Sequence, residues 1–148
     1  MFDRTIALIG QDNLDKIESK HILIIGVGGV GGYAIEALIR SGIHNITLVD
    51  YDNIDISNIN RQIIAKESNV GKLKVEAWKE RINEINSSVL VNTLPLKIDE
   101  NNIDILFKSS YDYIIDACDT VIVKKLLIKK CHEKNIKLIT VCGMGKKL

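Results

Sequence analysis

The chain has 148 residues, a net charge of +1 and a hydrophobic share of 46%, the size and balance of one soluble globular domain with its own core. A charge so near zero leaves no overall footprint for a polyanion. No apolar run approaches the ~20 residues that cross a bilayer, and the opening Met1-Phe2-Asp3-Arg4 lacks the layout of a secretory signal. A cytoplasmic protein without a membrane segment is expected, with Cys118, Cys131 and Cys142 as reduced thiols, since they show neither a CxxC pair nor zinc-ligand spacing.

Residues 1–20 are expected to form an N-terminal arm or helix. Ile22 to Ile25 is a continuous apolar run ending at Gly26, as in a strand buried on both faces. From Val30 the period becomes helical, with Val30, Tyr33, Ala34, Ala37 and Leu38 forming the apolar stripe. Ile46 to Val49 is a second strand ending at Asp50. A long helix follows over Lys72 to Asn86, with Val75, Trp78, Ile82 and Ile85 on one face. Val89 to Leu94 reads as a strand, Asn101 to Ser109 as a short helix and Tyr113 to Ile115 as a strand ending at Asp116. Val123, Leu126, Leu127 and Cys131 mark a further helix, and Lys137 to Val141 a last strand. This alternation predicts a Rossmann-like, three-layer α/β domain over residues 1–148, with a mostly parallel sheet and ligands at the carboxyl ends of its strands. A Gly-x-Gly turn, Gly143-Met144-Gly145, follows the last strand with almost no chain after it, so the fold is expected to be cut short at its C-terminal side.

Gly26-Val27-Gly28-Gly29-Val30-Gly31 fits G-x-G-x-x-G between a strand and a helix. The first Gly allows the tight turn, the second admits phosphate to the backbone, and the last lets helix pack on strand. The helix N-terminus adds free N–H groups and a positive dipole end. Asp50, at the tip of the second strand, is placed to accept hydrogen bonds from ribose hydroxyls. Beyond it, Tyr51 and Asp52 lead into Ser57-Asn58-Ile59-Asn60-Arg61-Gln62. On a helical turn, Ser57, Asn58 and Arg61 share a face. That trio suits a triphosphate, where Arg gives planar bidentate contacts, better than the hydride-transfer site of an NAD dehydrogenase. Lys74, near the start of the next helix, could add a point charge, although on its own it reads more readily as a solvated lysine.

Asp116-Ala117-Cys118-Asp119 lies at another strand end on the same side of the sheet. An aspartate there can hold Mg²⁺ together with phosphate oxygens and water; capping of the next helix by Asp119-Thr120 accounts for the residues as well. Cys118 reads as a small strand-end residue rather than a nucleophile. The following helix carries Lys124, Lys125, Lys129, Lys130 and Lys134 against Glu133, with Lys146 and Lys147 further on. A solvated face and a nucleic-acid patch both remain open there. His21, His44 and His132 have no partners at ligand spacing, and Trp78 belongs to a core stripe.

Taken together, GVGGVG, LVDYD, SNINRQ, VGKLKVEA and DACDT resemble the ThiF/MoeB/HesA group of adenylating enzymes, relatives of the ubiquitin-activating enzymes, over nearly the whole chain. The resemblance implies ATP and Mg²⁺, with Gly26, Gly28, Gly29, Gly31, Asp50, Asp52, Ser57 and Asn58 about the nucleotide. It further implies Asn58, Arg61 and Lys74 on the phosphates and Asp119 on the metal. Phe2-Asp3-Arg4-Thr5 is similar to the family's N-terminal arm, which implies a homodimer in which Arg4 reaches the partner's ATP; a frayed terminal charge is the plainer reading. Asn58-Ile59-Asn60-Arg61-Gln62-Ile63, Ser41-Gly42-Ile43 and Cys142-Gly143-Met144-Gly145 are most similar to the branch acting on tRNA threonylcarbamoyladenosine. That branch adenylates the threonylcarbamoyl carboxylate so that a ring closes. The alternative partner is a ubiquitin-like sulfur-carrier protein adenylated on its C-terminal glycine. A non-catalytic nucleotide-binding module is a further alternative.

Overall fold

The computed structural model describes residues 1–142. Two short helices, α1 (Asp3–Ile9) and α2 (Gln11–Glu18), precede the sheet. Strand β1 (His21–Ile25) leads through the glycine turn into α3 (Gly29–Ser41), and β2 (Asn45–Val49) follows. Beyond a loop with turns of 3-10 helix at Ile56–Asn58 and Glu67–Asn69 come α4 (Lys74–Ile85) and β3 (Leu90–Leu94). The expected short helix is a 3-10 helix, Ile103–Lys108, followed by β4 (Tyr113–Asp116), α5 (Val121–Glu133) and β5 (Lys137–Thr140).

The strands lie in the order β3-β2-β1-β4-β5, and every pairing is parallel. The winding reverses at β1, which has β2 on one side and β4 on the other. A sheet that reverses its winding splays its loops apart at that point and leaves a crevice at the carboxyl ends of the strands. The inner strands are continuous runs of aliphatic residues because both of their faces are covered: Leu23, Ile24, Ile46 and Leu48 are wholly buried. Ile35, Ile39, Val75, Trp78 and Ile82 from α3 and α4 fill one layer. Ile98, Ile103, Leu106, Val123, Leu127 and Cys131 fill the other.

Helix α3 corrects the sequence reading. Its buried face is Gly31, Gly32, Ile35 and Ile39, while Val30 and Tyr33 are exposed, at 52% and 58%. Apolar periodicity assigns the larger side chains to the core, but here the helix lies so close to its neighbours that only glycine fits. A Cβ on Gly31 would stand 1.8 Å from the carbonyl oxygen of Gly26, and one on Gly32 would stand 2.9 Å from the Trp78 ring. Trp78 is fully buried, as its stripe predicted, and its indole N–H donates to the Val27 carbonyl at 3.0 Å. Helix α4 is thus bound to the glycine turn by a buried hydrogen bond as well as by packing.

Because the obstacle at Gly31 is backbone, no side-chain rotation relieves it. Gly31→Ala is expected to lose about 3 kcal/mol or more of unfolding free energy in urea titrations. Gly10→Ala faces open space and only a left-handed φ of 80°, and is expected to lose about 1 kcal/mol. Equal losses at the two positions would contradict the close packing of α3.

Candidate functional site

The crevice at the ends of β1, β2 and β4 is a cavity of about 480 Å³. Of the residues singled out from sequence, Gly26, Gly28, Gly29, Asp50, Asp52, Asn58, Arg61, Lys74 and Asp119 line it. Gly31 lies beneath the turn rather than on the cavity wall. Arg4 is exposed on α1, away from the cavity, and Ser57 is also outside it.

Gly26 has a φ of 84°, and a Cβ there would also strike the Ala117 carbonyl oxygen at 2.6 Å, so the turn needs glycine twice over. Past it, α3 begins without a side-chain cap, which leaves its first N–H groups facing the cavity mouth. Asp50 fixes the turn from the next strand. Its Oδ2 accepts the Val27 N–H and its Oδ1 the Asp52 N–H, each at 2.9 Å. Both oxygens keep a lone pair for hydroxyl donors, while the carboxylate itself is held in one orientation.

Lys74 is buried and paired, against the solvated reading that the sequence alone favoured. Its side chain is only 7% exposed and its Nζ lies 3.0 Å from Asp52 Oδ2. A buried ammonium needs a partner, and one on a cavity wall becomes a fixed positive charge aimed at whatever enters. Arg61 is exposed; its Nη1 donates to the Ser57 carbonyl at 2.7 Å and to Asn60 Oδ1 at 2.9 Å.

The expected trio divides. Asn58 and Arg61 reach the cavity, but Ser57 turns to Asp55, which precedes the 3-10 turn, with its N–H donating to Asp55 Oδ1 at 2.8 Å. Hydrogen bonds from the Ser57 hydroxyl and N–H hold the Asp55 carboxyl below the usual range. Asn58 completes the same cap by accepting the Asp55 N–H at 3.0 Å. The segment forms one 3-10 turn rather than α-helix, so positions 57 and 61 do not share a face.

Gln62 was not selected from sequence, yet it is 7% exposed, lines the cavity, and its buried Oε1 has no hydrogen-bond partner among the described residues. Leu96, Lys97 and Ile98 were also missed. They follow β3 and close one side of the cavity, with Lys97 Nζ 5.4 Å from the centre of the Tyr51 ring. Pro95 marks the end of that strand, but nothing in Leu96-Lys97-Ile98 signals a site before the sheet order is known.

At the end of β4 the two aspartates take different roles. Asp116 is fully buried and paired with Lys124 at 3.1 Å, whereas Asp119 is exposed on the cavity wall. Helix α5 starts after Thr120 with no side-chain cap, so the capping alternative for Asp119-Thr120 is not realised. Among the described residues no group of three or more His, Cys, Asp or Glu could hold a metal. A lone carboxylate fits Mg²⁺ when phosphate oxygens and water complete its shell. Burial, and then a hydrogen bond to Asp116, push the Cys118 thiol up to about 11, which agrees with its reading as an unreactive strand-end residue.

The basic helix is more neutralised than its sequence implied, since opposition comes from other elements as well as from its own Glu133. Lys124 is committed to Asp116, Lys130 meets Asp104 at 2.5 Å, and Lys129 meets Glu133 at 3.9 Å. Lys146, Lys147 and the Gly143-Met144-Gly145 turn lie outside the described residues.

A parallel sheet reversing at β1, a glycine turn and a charged crevice at the switch point define a Rossmann-like α/β domain. Residues 2–147 match the model of the ThiF family, and the chain belongs to that family. It is 43% identical to a tRNA threonylcarbamoyladenosine dehydratase of Haemophilus influenzae, over 93% of this chain and 53% of that protein. It superposes on the crystal structure of the Escherichia coli tRNA N6-threonylcarbamoyladenosine dehydratase in complex with ATP with a TM-score of 0.94. The identity is 39%, covering 99% of this chain and 60% of that one. A molybdopterin-synthase adenylyltransferase of H. influenzae is 29% identical over 94% of this chain and 58% of that protein. The chain therefore spans just over half the length of these relatives.

The raised Cys118 pKa lowers its thiolate fraction at any pH near neutrality. Iodoacetamide at pH 8 is expected to alkylate Cys118 at least about tenfold more slowly than exposed Cys142, followed by peptide mass spectrometry. Equal rates would contradict the burial and the contact with Asp116.

Proposed function

We propose that this chain is the ATP-binding domain of a tRNA threonylcarbamoyladenosine dehydratase, which uses ATP to adenylate the threonylcarbamoyl carboxylate of a modified tRNA adenosine. The observation that carries the reading is the wall of Asn58, Arg61 and buried Lys74 facing the cavity beyond Asp50. A dinucleotide needs the glycine turn and the acid, but not these groups. The similarity to dehydratases at 43% identity, against 29% for the molybdopterin-synthase adenylyltransferase, favours the tRNA substrate over a sulfur-carrier protein.

In this reading Asp50 accepts the ribose hydroxyls, and the base lies between Tyr51 and the Leu96–Ile98 segment. The N–H groups at the start of α3 face the phosphates. The substrate carboxylate attacks the α-phosphorus of ATP, the bond to the bridging oxygen breaks, and pyrophosphate leaves with its electron pair. Arg61 and Lys74 sit where that charge accumulates, and a donor already in place costs no reorganisation as the charge develops. Asp119 would hold Mg²⁺, which would supply positive charge against the phosphate oxygens. The resulting acyl adenylate carries AMP as a good leaving group, and intramolecular attack closes the ring. The domain orients the reactants and balances charge, and no side-chain nucleophile is required. Helix α1 is the N-terminal arm, and Arg4 acts on the ATP of a second copy in a cytoplasmic homodimer.

Deleting the gene is expected to remove the cyclised nucleoside from tRNA, read by nucleoside mass spectrometry. An unchanged nucleoside, with acyl adenylate forming on a ubiquitin-like carrier instead, would establish the alternative. Arg61→Ala and Lys74→Met are each expected to lower tRNA-dependent AMP release by about a hundredfold. Arg61→Ala removes an exposed side chain and is expected to leave thermal stability almost unchanged.

A further inference from the structure

The reaction above makes no use of Asp116 and Lys124, although they are the most deeply buried ion pair of the described residues: the two side chains are 0% and 12% exposed. Neither lines the cavity. Removing two charges from water costs about as much as their attraction returns, and an apolar pair of similar volume is commonly no less stable. The pair's contacts give it another role. Asp116 Oδ1 accepts the Cys118 N–H at 3.1 Å, within the turn after β4. Lys124 Nζ donates to Asp116 Oδ2 at 3.1 Å and to the Val141 carbonyl at 2.8 Å. The Val141 N–H returns to the Asp116 carbonyl at 2.9 Å.

The end of β4, the first turns of α5 and the segment after β5 are thus joined at one point. Residues 117–120 run between these anchors and carry Asp119. On the opposite side, the Ala117 N–H donates to the Ile25 carbonyl at 2.8 Å, and the Ala117 carbonyl fills the space a Cβ on Gly26 would need. The Asp119 turn is therefore clamped between the glycine turn and a buried ion pair, in place of the absent helix cap.

We propose that Asp116 and Lys124 are the positioning pair for Asp119, fixing its carboxylate where the metal on the nucleotide phosphates meets it. The inference rests on the adenylation reading. Arg at position 124 has the length and donors to keep both contacts, whereas Met keeps the volume and loses them.

The test is calorimetric titration of the whole chain with ATP in magnesium, with ATP in EDTA, and with adenosine, which has no phosphate. Asp116→Asn/Lys124→Met leaves no unpaired buried charge, and its melting temperature is expected to stay within about 5 °C of wild type. Its affinity for ATP in magnesium is expected to fall at least about tenfold, to the EDTA value, while adenosine affinity stays within about twofold. Lys124→Arg, with Asp116 intact, is expected to retain the magnesium dependence of the wild type. A double variant with wild-type magnesium dependence would overturn the proposal, as would equal losses for ATP and adenosine. ATP binding by the wild type that ignores magnesium would overturn the role of Asp119 and with it that of the pair. A wild-type chain that binds neither ligand would remove the adenylation reading itself.

Discussion

The approach of α3 to the end of β1 sets the geometry of everything else in the molecule. Gly31 sits where any Cβ would meet the Gly26 carbonyl, so the helix axis points directly at the turn it leaves. That single contact brings the N–H groups of the first helical turn to the mouth of the crevice. It also fixes Val27, whose N–H is held by Asp50 and whose carbonyl is held by Trp78. Strand β2 and helix α4 are therefore both bonded to a residue inside the glycine turn. The anion-facing end of α3, the acid at the tip of β2 and the start of α4 with Lys74 are positioned as one unit.

Charge in the crevice is arranged by burial. Lys74 and Asp116 are the two most buried ionic groups about the site, and each has one partner of opposite sign. Lys74 faces the cavity, and its partner Asp52 is half exposed, so an entering anion can take over the ammonium without leaving a carboxylate stranded out of water. Asp116 faces away and is closed off on all sides, which suits a support rather than a ligand. Arg61, exposed on the cavity wall and bonded only within its own loop, is the group free to follow a ligand as its charge moves, whereas Asp119 is carried on a turn anchored on both sides.

Strand positions were legible from sequence to within about two residues, most plainly for the inner strands, because burial on both faces demands aliphatic runs that are visible without a structure. The buried face of α3 was not legible. There Gly31 and Gly32, which carry no hydropathy signal, share the core contact with Ile35 and Ile39, while Val30 and Tyr33 of the expected stripe point outward. In the site, the glycine turn and Asp50 were readable because they lie next to the strands that define them. Lys74 on its own read as a solvated lysine, since its burial and its ion pair with Asp52 across the loop exist only in the fold. Gln62, beside Arg61 in the sequence, gave no sign that its Oε1 is buried without a partner among the described residues. The Leu96–Ile98 segment was invisible because only the order of the strands brings it to the crevice. The basic helix was misjudged in degree for the same reason: Asp104 and Asp116, which neutralise Lys130 and Lys124, come from other elements.

The claim on which the functional account depends is that the crevice is built for a triphosphate rather than a dinucleotide. Calorimetric titration of the chain with Mg·ATP and with NAD, alongside Arg61→Ala, tests it directly. The account predicts saturable ATP binding that weakens in the variant and no measurable binding of NAD. Binding of NAD in preference to ATP, unaffected by loss of Arg61, would contradict it.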